Sequence, residues 1–342
     1  MRLVAVVALS GAVGLGAAVC TGSSGAAIVA RAQTTPPIGK QLAELKGSDT
    51  SGDDWFGYSV AASGGTAIVG APFHAKDAGR AYVFTKTAPG WEQTAELKGS
   101  DTVTGNEFGF SVGISGTTAI VGAWVHDKAA GRAYVFSKTA TGWEQTAELK
   151  GSDTVTGDDF GGSVAISGNI AIVGAYGYAT SVGRAYVFAK TVSGWKQVAE
   201  LKGSDTVAGD YFGSSVAVSG TIAVVGAPGH AKAAGRAYVF TKTASGWKEV
   251  AELKGSDTVA YNRFGQRVAV SGKTAVVGAW LHDRAYVFTT AAFGWKQIAE
   301  LKGSDTVAGD DFGGSCAISG STAIVGAYSH AKSAGRAYVF DT

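Results

Sequence analysis

The string ELKGSD begins at Glu44, Glu96, Glu148, Glu200, Glu252 and Glu300, at spacings of 52, 52, 52, 52 and 48 residues. Each copy is followed by an FG pair (Phe56, Phe108, Phe160, Phe212, Phe264, Phe312) and a GA pair (Gly70, Gly122, Gly174, Gly226, Gly278, Gly326). RAYVF then starts at Arg80, Arg132, Arg184, Arg236, Arg284 and Arg336. A repeat of this length is one supersecondary unit, which buries its apolar faces only against its neighbours.

Within a unit the pattern predicts four strands and no helix. In the second unit the first strand, Phe108 to Ile114, ends at Ser115 and Gly116, where glycine accepts the positive φ of a tight hairpin. The second, Thr118 to Ala123, is a run of small apolar residues that suits a strand covered on both faces. The third, Ala133 to Phe136 with its flanks, is rich in aromatic and branched residues. The fourth, Trp143 to Lys150, mixes Trp, Glu, Gln and Lys as a half-exposed outer strand does. Four short antiparallel strands per unit predict an all-β fold, a six-bladed β-propeller. The segment Lys40 to Lys46 aligns with the fourth strands, whereas the last unit stops at Thr342 after its third. The N-terminal strand is therefore expected to complete blade six and close the ring.

Composition narrows the partners. Of the 342 residues, 46% are hydrophobic and only 16% charged, with 8 Trp, 12 Tyr and 15 Phe, so disorder is excluded. The formal charge of +2 comes from Arg2 and Arg31, which lie in a leader without acids; the remainder carries 27 basic against 27 acidic residues. A neutral body gives no electrostatic case for nucleic acid. Leu3 to Val19 is an apolar or small run behind Arg2, and Ala30-Arg31-Ala32 is a small-x-small pattern. Residues 1–32 read as a signal peptide, 33–37 as a short linker and 38–342 as the propeller, a single secreted or cell-surface domain expected to be a monomer with no membrane span after cleavage. A retained anchor is the alternative. Cys316 is alone in the mature chain and occupies a slot that Val fills in the other five units, as a small buried hydrophobe would.

The FG pair, the GA or GAP element (Gly70-Ala71-Pro72, Gly226-Ala227-Pro228) and the closing YVF strand resemble FG-GAP repeats, the blades of integrin α-subunit heads and of many secreted bacterial proteins. The resemblance implies an extracellular propeller used for adhesion or ligand binding. Two features depart from it: integrin heads have seven blades, and their DxDxDG calcium loops occur nowhere in this chain.

Three groups of residues carry candidate chemistry. Two positions before each FG stand Asp54, Asn106, Asp158, Asp210, Asn262 and Asp310, behind the GSD aspartates. Asp54, Asp158, Asp210 and Asp310 are candidate calcium ligands; the competing reading is a turn in which Asp and Asn accept backbone N–H groups, which two Asn copies favour. No other cofactor is indicated. His74, His126, His230, His282 and His330 share one slot, but each lies on a separate blade, too far apart for one ion. The residue after GA runs Pro72, Trp124, Tyr176, Pro228, Trp280, Tyr328, so units one to three reappear as four to six. A doubled three-blade piece, and pseudo-two-fold symmetry, follow. Trp124, Tyr176, Trp280 and Tyr328, with His126 and His282, are expected to rim one face and bind a protein or glycan; packing as wedges between blades is the alternative. First strands poor in acid–base groups point to a non-catalytic module rather than a hydrolase or lyase, with a purely structural repeat protein as the remaining reading.

Overall fold

The computed structural model describes residues 43–342. Six antiparallel sheets, one per unit, stand around a common channel as a six-bladed β-propeller. In blade two the strands are Ser111–Ser115, Thr118–Ala123, Arg132–Lys138 and Trp143–Leu149, hydrogen-bonded in that order. Ser115 pairs with Thr118 across a two-residue hairpin in which Gly116 has φ 57°. The second strand is buried along its whole length, and the fourth alternates half-buried and exposed positions until Leu149.

The core lies between blades. Ile68, Ala81 and Val83 of blade one pack with Leu97 against Val112, Ile114, Val121 and Phe136 of blade two. At its centre Phe108 of the FG pair is fully buried, with its ring 5.5 Å from that of Tyr134 and 6.0 Å from that of Phe136. Burying such a ring contributes about 1.5–3 kcal/mol. Channel-side serines staple the blades together. Ser59, Ser111 and Ser163 Oγ donate at 2.7 Å to the carbonyls of Gly109, Gly161 and Gly213 on the following blade. The GA glycine makes this approach possible, since a Cβ on Gly122 would lie 2.0 Å from the Gly161 carbonyl oxygen.

The expectation of no helix needs correction. Five units insert a four-residue helical turn between the second and third strands, His74–Asp77 in blade one, and its residues Ala75, Lys76 and Asp77 are left-handed, with φ 54°, 60° and 64°. Left-handed non-glycine residues are costly, and inter-blade bonding offsets that cost. The carbonyls of Lys76, Asp77 and Ala78 accept the N–H groups of Gly105, Glu107 and Phe108 on blade two, at 3.2, 2.7 and 3.2 Å. Unit five is four residues shorter and makes only a 3-10 turn, Trp280–His282. There the Asp283 carboxylate replaces the missing carbonyls, accepting Gly309 N–H at 2.8 Å and Phe312 N–H at 3.1 Å.

Five blades have four strands, and blade six has three among the described residues. Of the strand expected over Lys40 to Lys46, residues 40–42 lie outside the described residues, and Ala43 to Lys46 are described without strand pairing. Leu45 nevertheless packs against Val69, Ala71, Tyr82 and Phe84 of blade one, as Leu97 packs against blade two. The seam between blades six and one is the least covered. Val339 is 52% exposed, whereas Val83, Val135, Val187, Val239 and Val287, its equivalents, are fully buried.

Candidate functional site

The channel has a volume of about 690 Å³ and is lined by residues of all six blades. Two positions flanking each FG pair differ from blade to blade around it; of the position before FG only Tyr211 and Arg263 reach the lining. The residue just before FG is left-handed in every unit, with φ 53–59°: Trp55, Glu107, Asp159, Tyr211, Arg263 and Asp311. In Glu107, Asp159, Tyr211 and Arg263 its N–H bonds the preceding blade's turn, for example Asp159 to the Ala129 carbonyl at 2.8 Å. The residue just after FG is Tyr58, Phe110, Gly162, Ser214, Gln266 or Gly314, and all six line the channel.

One half of the channel is aromatic. Trp55 meets Phe73 edge-on at 4.6 Å and Tyr58 stacked at 5.9 Å; Tyr58 lies 4.8 Å from Phe110, Phe110 5.2 Å from Trp124, and Trp124 6.3 Å from Tyr176. Carboxylates hold these rings in place. Trp124 Nε1 donates to Glu107 Oε2 at 2.7 Å, and Tyr176 donates to Asp159. Burial raises the Glu107 carboxyl, and burial with the neighbouring Asp158 charge pushes Asp159 up to about 6. Gly162 leaves room for the phenol, as a Cβ there would lie 2.6 Å from Tyr176 Cε1.

The opposite half repeats the frame with different chemistry. Trp280 and Tyr328 lie 6.2 Å apart at 33°, against 6.3 Å and 36° for Trp124 and Tyr176, as the doubled three-blade piece predicts. Arg263 stands where Glu107 stands in the first half, so the buried Trp280 Nε1 has no acceptor. Gln266 replaces Phe110, and Arg267 replaces the serine of the other five blades.

Of the residues singled out in the sequence, Tyr176 and Tyr328 line the channel, and Trp124 and Trp280 are half-buried against those rings without joining the lining. His126 and His282 do not join them. Their Nε2 atoms lie 3.1 and 3.0 Å from Asp101 and Asp257 Oδ2. These GSD aspartates also accept the RAYVF tyrosines, Tyr134 to Asp101 and Tyr286 to Asp257 at 2.6 Å. Burial raises the Asp101 carboxyl, but the Tyr134 and His126 bonds outweigh it and hold the group below its usual value. Sequence reasoning missed Tyr58, Phe110 and Arg263; the available signal was that the slots beside FG vary most within an otherwise repeated unit.

The calcium candidates sit in turns. Asp54, Asp158, Asp210 and Asp310 Oδ2 each accept the N–H three residues earlier, at 2.6–2.8 Å, and Asn106 and Asn262 accept it equally well through Oδ1. Asp54, Asp210 and Asp310 also bond His74, His230 and His330 Nδ1. Among the described residues Asp205, His230 and Glu252 bring three potential metal-ligand atoms within 4.8 Å of one another. The Arg236 guanidinium already neutralises Glu252 there. The Cys316 thiol, pushed up to about 12 by burial, is a poor nucleophile.

A ring of antiparallel blades stapled through FG and GA glycines, with an aromatic-walled channel, defines a β-propeller with a recess at its axis. The particular kind follows from sequence: the chain belongs to the FG-GAP repeat family, whose model matches residues 40–84, 91–136, 143–188, 195–240, 247–288 and 295–340. From the second match on, each begins at a fourth strand and ends in the third strand of the next blade, and the first match aligns 40–46 in sequence with those fourth strands. No curated protein matches the chain. No helix among the described residues is long and apolar enough to cross a membrane.

Proposed function

We propose that the protein is a secreted or cell-surface, non-catalytic binding module that takes a glycan in its channel. The observation that carries this reading is the set of rings Tyr58, Phe110 and Tyr176, which gives one side of a concave recess several flat apolar faces. Rings held rigid by neighbours present such faces at small entropic cost, and a saccharide offers matching C–H faces. A recess of about 690 Å³ has the size of small-ligand pockets, whereas protein partners are met by broader surfaces. The residues lining the recess include no carboxylate and no imidazole, which supports binding over acid–base catalysis. Export follows from the leader, residues 1–32, which lies outside the described residues.

A glycan array probed with the full chain tests this. Saturable binding to a glycan is expected, weakened about tenfold or more in Phe110→Ala and in Tyr58→Ala variants that melt cooperatively. Absence of any saturable glycan ligand, or binding unchanged in both variants, would overturn the reading; binding to proteins only would move the site to an outer face.

A further inference from the structure

We infer that the ligand is an acidic saccharide and that blade five supplies the contact to its anionic group. The inference rests on the glycan reading above and deepens it. Arg267 interrupts a ring of serines, Ser59, Ser111, Ser163, Ser215 and Ser315, at equivalent places in the other five blades. Three of those serines staple one blade to the next, so blade five gives up a structural hydroxyl for a charge. The same blade carries Arg263 where the first half has Glu107, and Trp280 Nε1 loses its acceptor as a result.

Neither guanidinium is neutralised. Arg80, Arg132, Arg184, Arg236 and Arg284 each pair with the glutamate of their own fourth strand. Among the described residues Arg263 and Arg267 have no carboxylate partner, and Arg267 Nη1 donates to the Gln266 carbonyl at 2.9 Å. Two guanidinium groups therefore line a recess whose lining includes no carboxylate, in a body whose charges balance only when these two are counted. Arg267 shares the lining of the recess with Tyr58 of blade one and Tyr328 of blade six. Beside it Gln266 offers an amide, and Ser214 Oγ is buried without a partner on the lining of the neighbouring blade. A sugar ring lying against Tyr58 and Phe110 thus has guanidinium and amide donors on its far side. Carboxylate suits that fork because both its oxygens can be bonded at once.

Isothermal titration of the full chain with tri-galacturonate, its methyl ester and a sulfated disaccharide tests the inference. The acid is expected to bind about 10- to 100-fold more tightly than the ester, with the difference shrinking as salt rises. The variant Arg267→Ser carries the residue of the other five blades and fits without strain. It should abolish the preference for the acid while leaving ester affinity unchanged, whereas Phe110→Ala should weaken acid and ester alike. Equal affinity for acid and ester, or a preference that survives Arg267→Ser, overturns the anionic contact and leaves the glycan reading standing. Binding of the sulfated sugar alone supports the contact and reassigns the anion; binding of none of the three, with no neutral glycan bound on the array, overturns both.

Discussion

At the scale of single residues the slot before FG has a backbone fixed left-handed and a side chain free to differ. Asp159 shows the consequence. Burial and the adjacent Asp158 raise its carboxyl to about 6, above the ordinary value near 4. The folded chain thus binds this proton more tightly than the unfolded chain. Asp159 opposes folding above pH 6, and the opposition fades as pH falls toward 4. Asn tolerates the φ of 59° and still accepts from Tyr176, so Asp159→Asn should raise the melting temperature at pH 7.5 and leave it nearly unchanged at pH 4. A gain independent of pH would contradict the assignment. Sequence reading found Tyr176 and Trp124 through their half-chain period but not Asp159 or Glu107, because the slot before FG reads Trp, Glu, Asp, Tyr, Arg, Asp and repeats identically only at Asp159 and Asp311. It also grouped His126 with Trp124, two residues away, and the turn that follows instead places that imidazole on Asp101.

At the scale of elements, strands were legible and the connection between the second and third was not. Thr118–Ala123 was read to the residue because an apolar run between hairpin glycine and GA pair has sharp edges. The left-handed turn was illegible because Ala75, Lys76 and Asp77 have no preference for that conformation; the N–H groups of the next blade select it. Unit five makes the point by exception. Asp127 and Asp283 fill the same slot of the repeat, yet Asp127 is exposed on its turn and Asp283 is buried as the acceptor of two backbone N–H groups. Asp283→Ala should therefore destabilise by about 2–3 kcal/mol, and Asp127→Ala by under about 0.5 kcal/mol. Chemical denaturation of the two variants measures the contrast, and equal losses would contradict the substitution of carboxylate for turn.

At the scale of the whole molecule, duplication built a near-symmetric ring, and divergence at its axis made the two halves chemically unlike. The Trp–Tyr pairs still match within 0.1 Å and 3°, whereas Glu107, Phe110 and Ser111 have become Arg263, Gln266 and Arg267. Blade number and period were readable from the repeats; the recess was not, because it is made by residues about 52 positions apart that meet only when the ring forms. The seam between blades six and one leaves Val339 exposed, yet the channel still draws lining from both. The central claim is that ligand enters this channel rather than settling on the outer strands. Hydrogen–deuterium exchange of the full chain with and without tri-galacturonate tests it most directly. Slowed exchange is expected in the segments around Tyr58, Phe110 and Arg267 on three separate blades, and protection confined to fourth strands such as Trp143–Leu149, or no protection at saturating sugar, would contradict it.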